Sequence, residues 1–396
     1  MRQAALALRL AFCTALLALN SCSVPERIKV VIEPKFDEPV YREGLILARA
    51  GKTFGYFDHS GKCVIELTSK GFQEVWTFSE GLARVKKGGR YGFLDRTGNL
   101  TVEASWDVAL PFSEGLAVVR KGERWGFIDK SGAVVIPLEY TSVWPFSDGL
   151  ALVNIGGSVE ARRIDSATGD ATGYITAGGE SGYIDRKGRM VIQSKCDWAF
   201  SFADGMARVN IGGKLSQYGD IQNGKWGFLN RSGQLVVPLQ FDVASDFSEG
   251  LGAVRVGDGW SFVDRAGKMI VEPLFEEVCD FSGGLACVRT PLGYHYIGPS
   301  GRIAVQRSYA AAGDFVDGSA PASADGVRWG AINTKGEWVV QPAFVDVGFF
   351  SEGATVVRHA SGSVAIGIRG HKCRYGGARY PRSRSSDESD FLRQGR

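Results

Sequence analysis

Between residues 116 and 137 the apolar positions fall in strand-length runs, LAVVR, WGFI and VVIP, each cut off by a polar turn containing glycine. Short runs punctuated in this way predict β-strands and argue against helices. Phe112-Ser113-Glu114-Gly115 reads as a turn and Leu116 to Arg120 as a first strand. A second strand runs from Trp125 to Asp129. Lys130-Ser131-Gly132 then closes a hairpin onto a third strand, Ala133 to Pro137. Asp suits the start of such a turn and Gly its end. Tyr140, Val143 and Phe146 lead onward as a candidate fourth strand. Along the second strand Trp125 and Phe127 face one way while Gly126 and Ile128 face the other. Both faces are apolar or small, which predicts cover on both sides. The glycine after the tryptophan is read as letting a neighbouring repeat approach the backbone.

The pattern recurs. Aligned on Phe-Ser-Glu/Asp-Gly, the anchors stand at 41, 78, 112, 146, 202, 247, 281, 315 and 350. Their spacings are 37, 34, 34, 56, 45, 34, 34 and 35, so the unit is 34 residues, with two insertions of 22 and 11. A fixed period of this size means supersecondary units that bury their core against neighbours.

The consensus F-[ST]-[DE]-G-L-A-x-V…[KR]-W-G-[FY]-[IL]-[DN]-x-x-G-x-x-V-I-P resembles the WG-repeat family of bacterial proteins across about residues 29–358. Trp125-Gly126, Trp226-Gly227 and Trp329-Gly330 carry the naming dipeptide, and Phe54-Gly55 and Tyr91-Gly92 are aromatic variants. Ser261 and His295 replace the glycine, Ser181 the tryptophan, Ala331 the inner aromatic and Gly298 the turn aspartate. Those units are expected to pack less tightly. The resemblance implies tandem β architecture and brings no catalytic residues with it.

The fold expected is therefore all-β. Tandem repeats of three to four short antiparallel strands form an open curved array, and a closed β-propeller is the alternative. Residues 29–44 match the late part of a unit and 351–367 the early part. This gives eight full units and one split between the ends, over 29–367. Nine blades exceed the usual propeller count.

The ends read differently from the repeats. Arg2 and Arg9 precede an apolar run of ten residues, LAFCTALLAL, too short to span a bilayer and of signal-peptide length. Leu19-Asn20-Ser21-Cys22 resembles the bacterial lipobox. It implies a signal peptide over 1–21, lipid on Cys22, a short linker over 22–28 and a membrane-anchored lipoprotein of the envelope. Asn20 departs from that pattern. The alternative is a secreted or periplasmic protein cleaved near Ser21, with Cys22 an ordinary thiol. Residues 368–396 form a basic tail that lacks the strand pattern and is expected to be disordered.

Net charge is +3, of which the tail from Arg369 supplies +5, so the repeats are near neutral. That leaves no electrostatic case for nucleic acid. Of the seven cysteines, Cys279 and Cys287 bracket the turn DFSGG. Pairing is open there, but buried thiols are favoured, because another repeat puts Leu110 and Val118 at the same places. No histidine has metal-ligand spacing, and no nucleophile elbow or phosphate loop is present. Asp58, Asp95, Asp129, Asp185 and Asp264 recur, but one carboxylate per turn beside a cation suits turn formation rather than calcium. No cofactor, metal or catalytic residue is therefore assigned, and the aromatic stripe is assigned to the core.

The insertions are the informative asymmetry. ALVNIGG (151–157) and ARVNIGG (207–213) begin alike and then extend over about 156–180 and 212–223. Equivalent positions in consecutive units should place them on one side of the array, where insertions serve binding. Arg162, Arg163, Tyr174 and Tyr218 are the candidate binding residues. The expected function is non-enzymatic recognition of a protein or glycan at the cell envelope. A propeller-type enzyme and a purely structural envelope component are the alternatives.

Overall fold

The computed structural model describes residues 30–31, 42–50, 52–58, 61–164, 171–216, 221–348, 354–359, 362–367 and 372–375. Every regular element among them is a strand. They form nine successive antiparallel sheets, and two small hairpins stand apart from the sheets. Each sheet takes its strands in chain order, two of them with an insertion hairpin between the second and third strands. Among the described residues no ladder joins one sheet to another and no barrel closes. The result is a tandem β array, as the period required. Among the described residues no helix is long and apolar enough to cross a membrane.

The third sheet shows the plan. Its strands are Val108–Ser113, Leu116–Lys121, Arg124–Ile128 and Val134–Tyr140, paired in chain order. The sheet therefore starts one strand before the Phe-Ser-Glu-Gly anchor. That anchor is the hairpin between its first two strands, and the segment read as a candidate fourth strand opens the next sheet at Ser142–Val143. Pro137 sits in the outermost strand, whose far edge pairs with nothing in the sheet, so its missing N–H costs no ladder bond.

The end segments also take a different place from the one their pattern implied. Val30–Val31 pairs with Arg49 and Ala50 as the first strand of its own sheet. Lys372–Tyr375, inside the stretch read as tail, pairs with Gly362–Gly367 as the outer strand of the ninth sheet. Lys-Cys-Arg-Tyr alternates polar and apolar residues over four positions, too short a run to register as periodicity. Thus neither terminal sheet borrows a strand from the other end of the chain, although the first and last strands come near one another.

The core lies between sheets. One face of the third sheet joins the second through Phe93, Val102, Trp106, Ala117 and Ile128. The other joins the fourth through Trp125, Phe127, Tyr140, Phe146 and Val153. From Phe78 to Phe315 the aromatic of the Phe-Ser-Glu-Gly turn packs on the inner aromatic of the unit before it. Ring centroids are 4.7 Å apart for Phe93–Phe112, 4.9 Å for Phe127–Phe146 and 4.7 Å for Phe228–Phe247. Where the inner aromatic is tyrosine, its hydroxyl also donates to a carbonyl of the next unit: Tyr183 to Phe200 at 2.7 Å and Tyr296 to Gly313 at 2.8 Å.

Gly126 has a different role from the one expected. Trp125 pairs with Tyr140 and Phe127 with Ile136, so the outer strand bulges past Gly126. A Cβ there would stand 2.6 Å from the Ile136 carbonyl oxygen and 2.7 Å from that of Pro137. The close approach comes from the unit's own fourth strand and not from a neighbouring repeat. At Ser261, where a side chain replaces the glycine, the hydroxyl donates to the Val271 carbonyl. That sheet keeps three strands, with only isolated bridges at Trp260–Phe275 and Val263–Met269 where a fourth would be.

Candidate interaction face

A four-stranded meander has two ends. The hairpins joining strands one to two and three to four share one end. The loop joining two to three, and the link to the next sheet, share the other. The sequence treats these ends differently.

At the first end the charged side chains are committed to the fold. Glu43, Glu80, Glu114, Asp148, Asp204, Glu249 and Asp317 all sit at positive φ, between 52° and 54°. That conformation is unfavourable for a side-chain-bearing residue. A bond to the next unit offsets it. Glu80 accepts the Gly115 N–H at 2.9 Å, Glu114 accepts that of Gly149 at 3.0 Å, and Asp148 accepts that of Gly205 at 2.7 Å. A base from the next or a later hairpin completes the link: Arg96 reaches Glu43 and Arg186 reaches Glu114, both at 2.8 Å. The serine of the motif adds another, Ser79 to the Phe112 carbonyl and Ser113 to that of Phe146, each at 2.7 Å. The motif is a clasp between units.

Burial pushes the Glu114 carboxyl up, but Arg186 and the Gly149 N–H outweigh it and hold the group below the ordinary 4.5; Glu43, with Arg96 and Gly81, behaves alike. A carboxylate depressed in the folded state stabilises above its unfolded value, and the benefit is lost as pH falls through the folded value. Unfolding free energy should therefore decline below about pH 4.5, and Glu114→Gln should decline less. Losing a charge-assisted bond costs about 2 kcal/mol. Glu114→Ala should therefore lose about that much, and Glu114→Gly about 1 kcal/mol less, because glycine relieves the positive φ. Urea melts of the three variants between neutral pH and pH 4 check this; equal losses for Ala and Gly would refute the strain argument.

The recurring aspartates are turn formers, as read. Asp129 Oδ1 accepts from Ser131 N at 2.9 Å, Ser131 Oγ at 2.6 Å and Ala133 N at 3.1 Å. Those bonds, led by the Ser131 hydroxyl, hold its pKa below the usual carboxylate value. No group of three or more potential metal ligands occurs among the described residues. The tryptophans are core, though unevenly: Trp125 and Trp226 are buried, while Trp329 is half-buried beside Ala331.

The second end carries the insertions, and buried asparagines root them. Asn154 Oδ1 accepts the Gly157 N–H at 3.0 Å, while its Nδ2 donates to the Gly178 carbonyl at 3.0 Å and to Ser181 Oγ at 2.9 Å. Asn210 repeats this with Gly213 and Asn223. Other units place Lys86, Arg120 or Arg255 at this position. The shared VNIGG is therefore a base clamp, which explains why the two insertions begin alike. Beyond it, Ser158–Ile164 pairs with Ala171–Ala177, and Lys214–Leu215 with Ile221–Gln222.

Of the candidate binding residues, Arg162 stands opposite Tyr174 in the hairpin register and Arg163 opposite Gly173. Tyr218 and Cys22 lie outside the described residues. Pattern reading missed a second feature of this end. The last residue of the second strand is Lys87 or Lys121 in early units but Ile155, Ile211 and Val256 in three consecutive later ones, each more than two-fifths exposed. The next two units expose Leu292 (82%) and Val327 (70%) in the loop itself. Aligning the units beyond the glycine pair would have found this row.

A family model, the WG containing repeat, matches residues 54–91, 91–125, 125–158, 182–214, 226–260, 260–290 and 329–360, more than half the chain. No curated protein matches. Among solved structures the chain is similar to the computationally designed Ika8 protein, at TM-score 0.40 and 11% identity over 88% of this chain and 99% of that one. It is also similar to BamB from Moraxella catarrhalis, at TM-score 0.38 and 13% identity over 76% and 96%. A third similarity is to a eukaryotic initiation factor, at TM-score 0.43 and 12% identity over 72% and 80%. The repeat matches, together with the Trp-Gly strands and Phe-Ser-Glu-Gly clasps seen in the structure, place the chain in the WG-containing repeat family.

Proposed function

We propose that this chain is a non-enzymatic interaction module that binds a protein partner with the end of the array bearing the two insertion hairpins. The observation carrying this is the contrast between ends. At the clasp end the turn acids bond either to the next unit or within their own turns. At the other end two hairpins on buried asparagine clamps stand beside an exposed aliphatic row, Ile155, Ile211, Val256, Leu292 and Val327. Exposed aliphatics also begin fourth strands at the clasp end, at Val134, Leu235 and Ile303, so it is the paired hairpins that set the other end apart. Solvent-facing aliphatics beside them favour a protein contact over a glycan site, which calls for aromatic and hydrogen-bonding groups. Arg162, Arg163, Tyr174 and Tyr218 would add polar and aromatic contacts on the hairpins. The lipobox-like Cys22 would tether the module to the envelope membrane, leaving the array outside the bilayer.

One experiment addresses both parts. The full chain, expressed in a bacterial host, is recovered from membranes by a C-terminal tag. Variants are Cys22→Ala, a deletion of 159–176, and Ile211→Lys with Leu292→Lys. Cys22→Ala should move to the soluble fraction. The deletion and the double lysine variant should lose co-purifying protein while keeping the wild-type melting temperature. Unchanged partners in both surface variants would refute the binding face, and membrane retention of Cys22→Ala would refute the tether.

A further inference from the structure

The hairpin at 277–290 departs from its neighbours in two ways that meet at one place. Its turn reads Phe281-Ser282-Gly283-Gly284, so among the described clasp turns it alone lacks the acid that reaches the next unit. Cysteines also occupy both members of one cross-strand pair. Glu277 pairs with Arg289 and Val278 with Val288, so Cys279 falls opposite Cys287, and its N–H donates to the Cys287 carbonyl at 2.8 Å. In other sheets this pair of positions brings side chains into direct contact: the Arg84 guanidinium lies 3.9 Å from the Trp76 ring centroid and that of Arg208 4.2 Å from Phe200. Both cysteines are free thiols that share a hydrogen bond, and the Asp314 carboxylate of the following unit also bonds Cys279. Directly opposed residues on antiparallel strands have Cα atoms about 4.5–5.5 Å apart. A disulfide spans about 4.4–6.8 Å.

We propose that Cys279 and Cys287 form a redox-responsive dithiol, which closes to a cross-strand disulfide and staples the one described hairpin whose clasp lacks its acid. The oxidant is a low-molecular-weight disulfide. Cys279, the more exposed of the two, attacks it as thiolate and forms a mixed disulfide, releasing one donor thiolate that takes up a proton. The Cys287 sulfur then displaces the second donor thiol. Two protein thiols become one disulfide, and the donor, reduced by two electrons, leaves as two thiols that carry the two protons. The shared hydrogen bond, burial and the neighbouring acid push the Cys279 thiol pKa well up. Closure is therefore slow at neutral pH and quickens as pH rises.

The test equilibrates the full chain in buffers of oxidised and reduced glutathione. Remaining thiols are then alkylated in denaturant and the peptides mapped by mass spectrometry. The expected result is a peptide cross-linked between Cys279 and Cys287, while Cys63 and Cys196, in other units, stay alkylated or carry single glutathione adducts. Oxidation should raise the melting temperature by a few degrees in the wild type and leave Cys279→Ser and Cys287→Ser unmoved. Separate glutathione adducts on the two cysteines, or full alkylation in oxidised glutathione alone, would overturn the proposal. A cross-link that lowers the melting temperature would overturn the staple.

Discussion

Gly126→Ala is expected to lower the unfolding free energy by about 3 kcal/mol, the upper part of the range for forcing atoms into a packed site. The added methyl would stand 2.6 to 2.8 Å from backbone atoms of Ile136 and Pro137. Backbone cannot rotate aside as a side chain can, so the outer strand must move and shed ladder bonds. The two units that carry a side chain here answer differently. The one around Ser261 has three strands with bridges in place of the fourth, while the one around His295 keeps its fourth strand, Ile303–Tyr309. The cost therefore depends on how far the outer strand can shift. Gly115 is the control. It sits at φ 84° with nothing within 4 Å of an added Cβ, so Gly115→Ala should cost only the left-handed penalty of about 1 kcal/mol. Denaturant melts of both variants decide the matter, with hydrogen exchange across 134–140. If Gly126→Ala costs no more than Gly115→Ala, the glycine is not there for the bulge.

The repeat, its strands and its hairpins were legible because they rest on local chemistry. Asp129-Lys130-Ser131-Gly132 makes a turn by bonds within five residues, and two-sided burial comes from the side chains of Trp125 to Ile128. The phase of the sheet is harder to read. Val108–Ser113 is apolar enough to end one unit or begin another, and only pairing with Leu116–Lys121 assigns it. The role of Gly126 is hidden for the same cause. A bulge in the partner strand leaves no mark on the strand that carries the glycine, so a neighbouring repeat looks like the simpler explanation.

The interaction face was legible in part. The insertions announce themselves as breaks in the period, and their common root could be seen as a shared VNIGG, but not as a clamp. Asn154 and Asn210 look like ordinary polar residues until the strands on either side place Gly157 and Gly178, or Gly213 and Asn223, around each amide. The clasp was hidden differently. Glu114 lies in a motif that looks like a turn signal, and its partner Gly149 is one whole unit away. Long-range bonds repeated every period look, in a single sequence, like repeated local ones.

Phe127→Ala is expected to cost about 3–5 kcal/mol, the range for truncating a buried aromatic. The side chain is fully buried and holds Phe146 at 4.9 Å across the seam to the next sheet. Two terms add. The ring's own contacts are lost, and the void opens between two units that no ladder joins, so nothing but packing and the clasp resists their separation. The eighth unit carries alanine at this position, Ala331, beside a half-buried Trp329 and a small apolar cluster. Its seam is therefore expected to open first in the wild type. Phe127→Tyr should be nearly neutral or stabilising, because Tyr183 and Tyr296 donate from this same place to the next unit's first-strand region. Hydrogen exchange localises the effect: in Phe127→Ala, protection should fall in 108–140 and 142–193 and hold in 243–309. A uniform loss across all sheets would mean that the array unfolds as one body, and that the seams are not its units of stability.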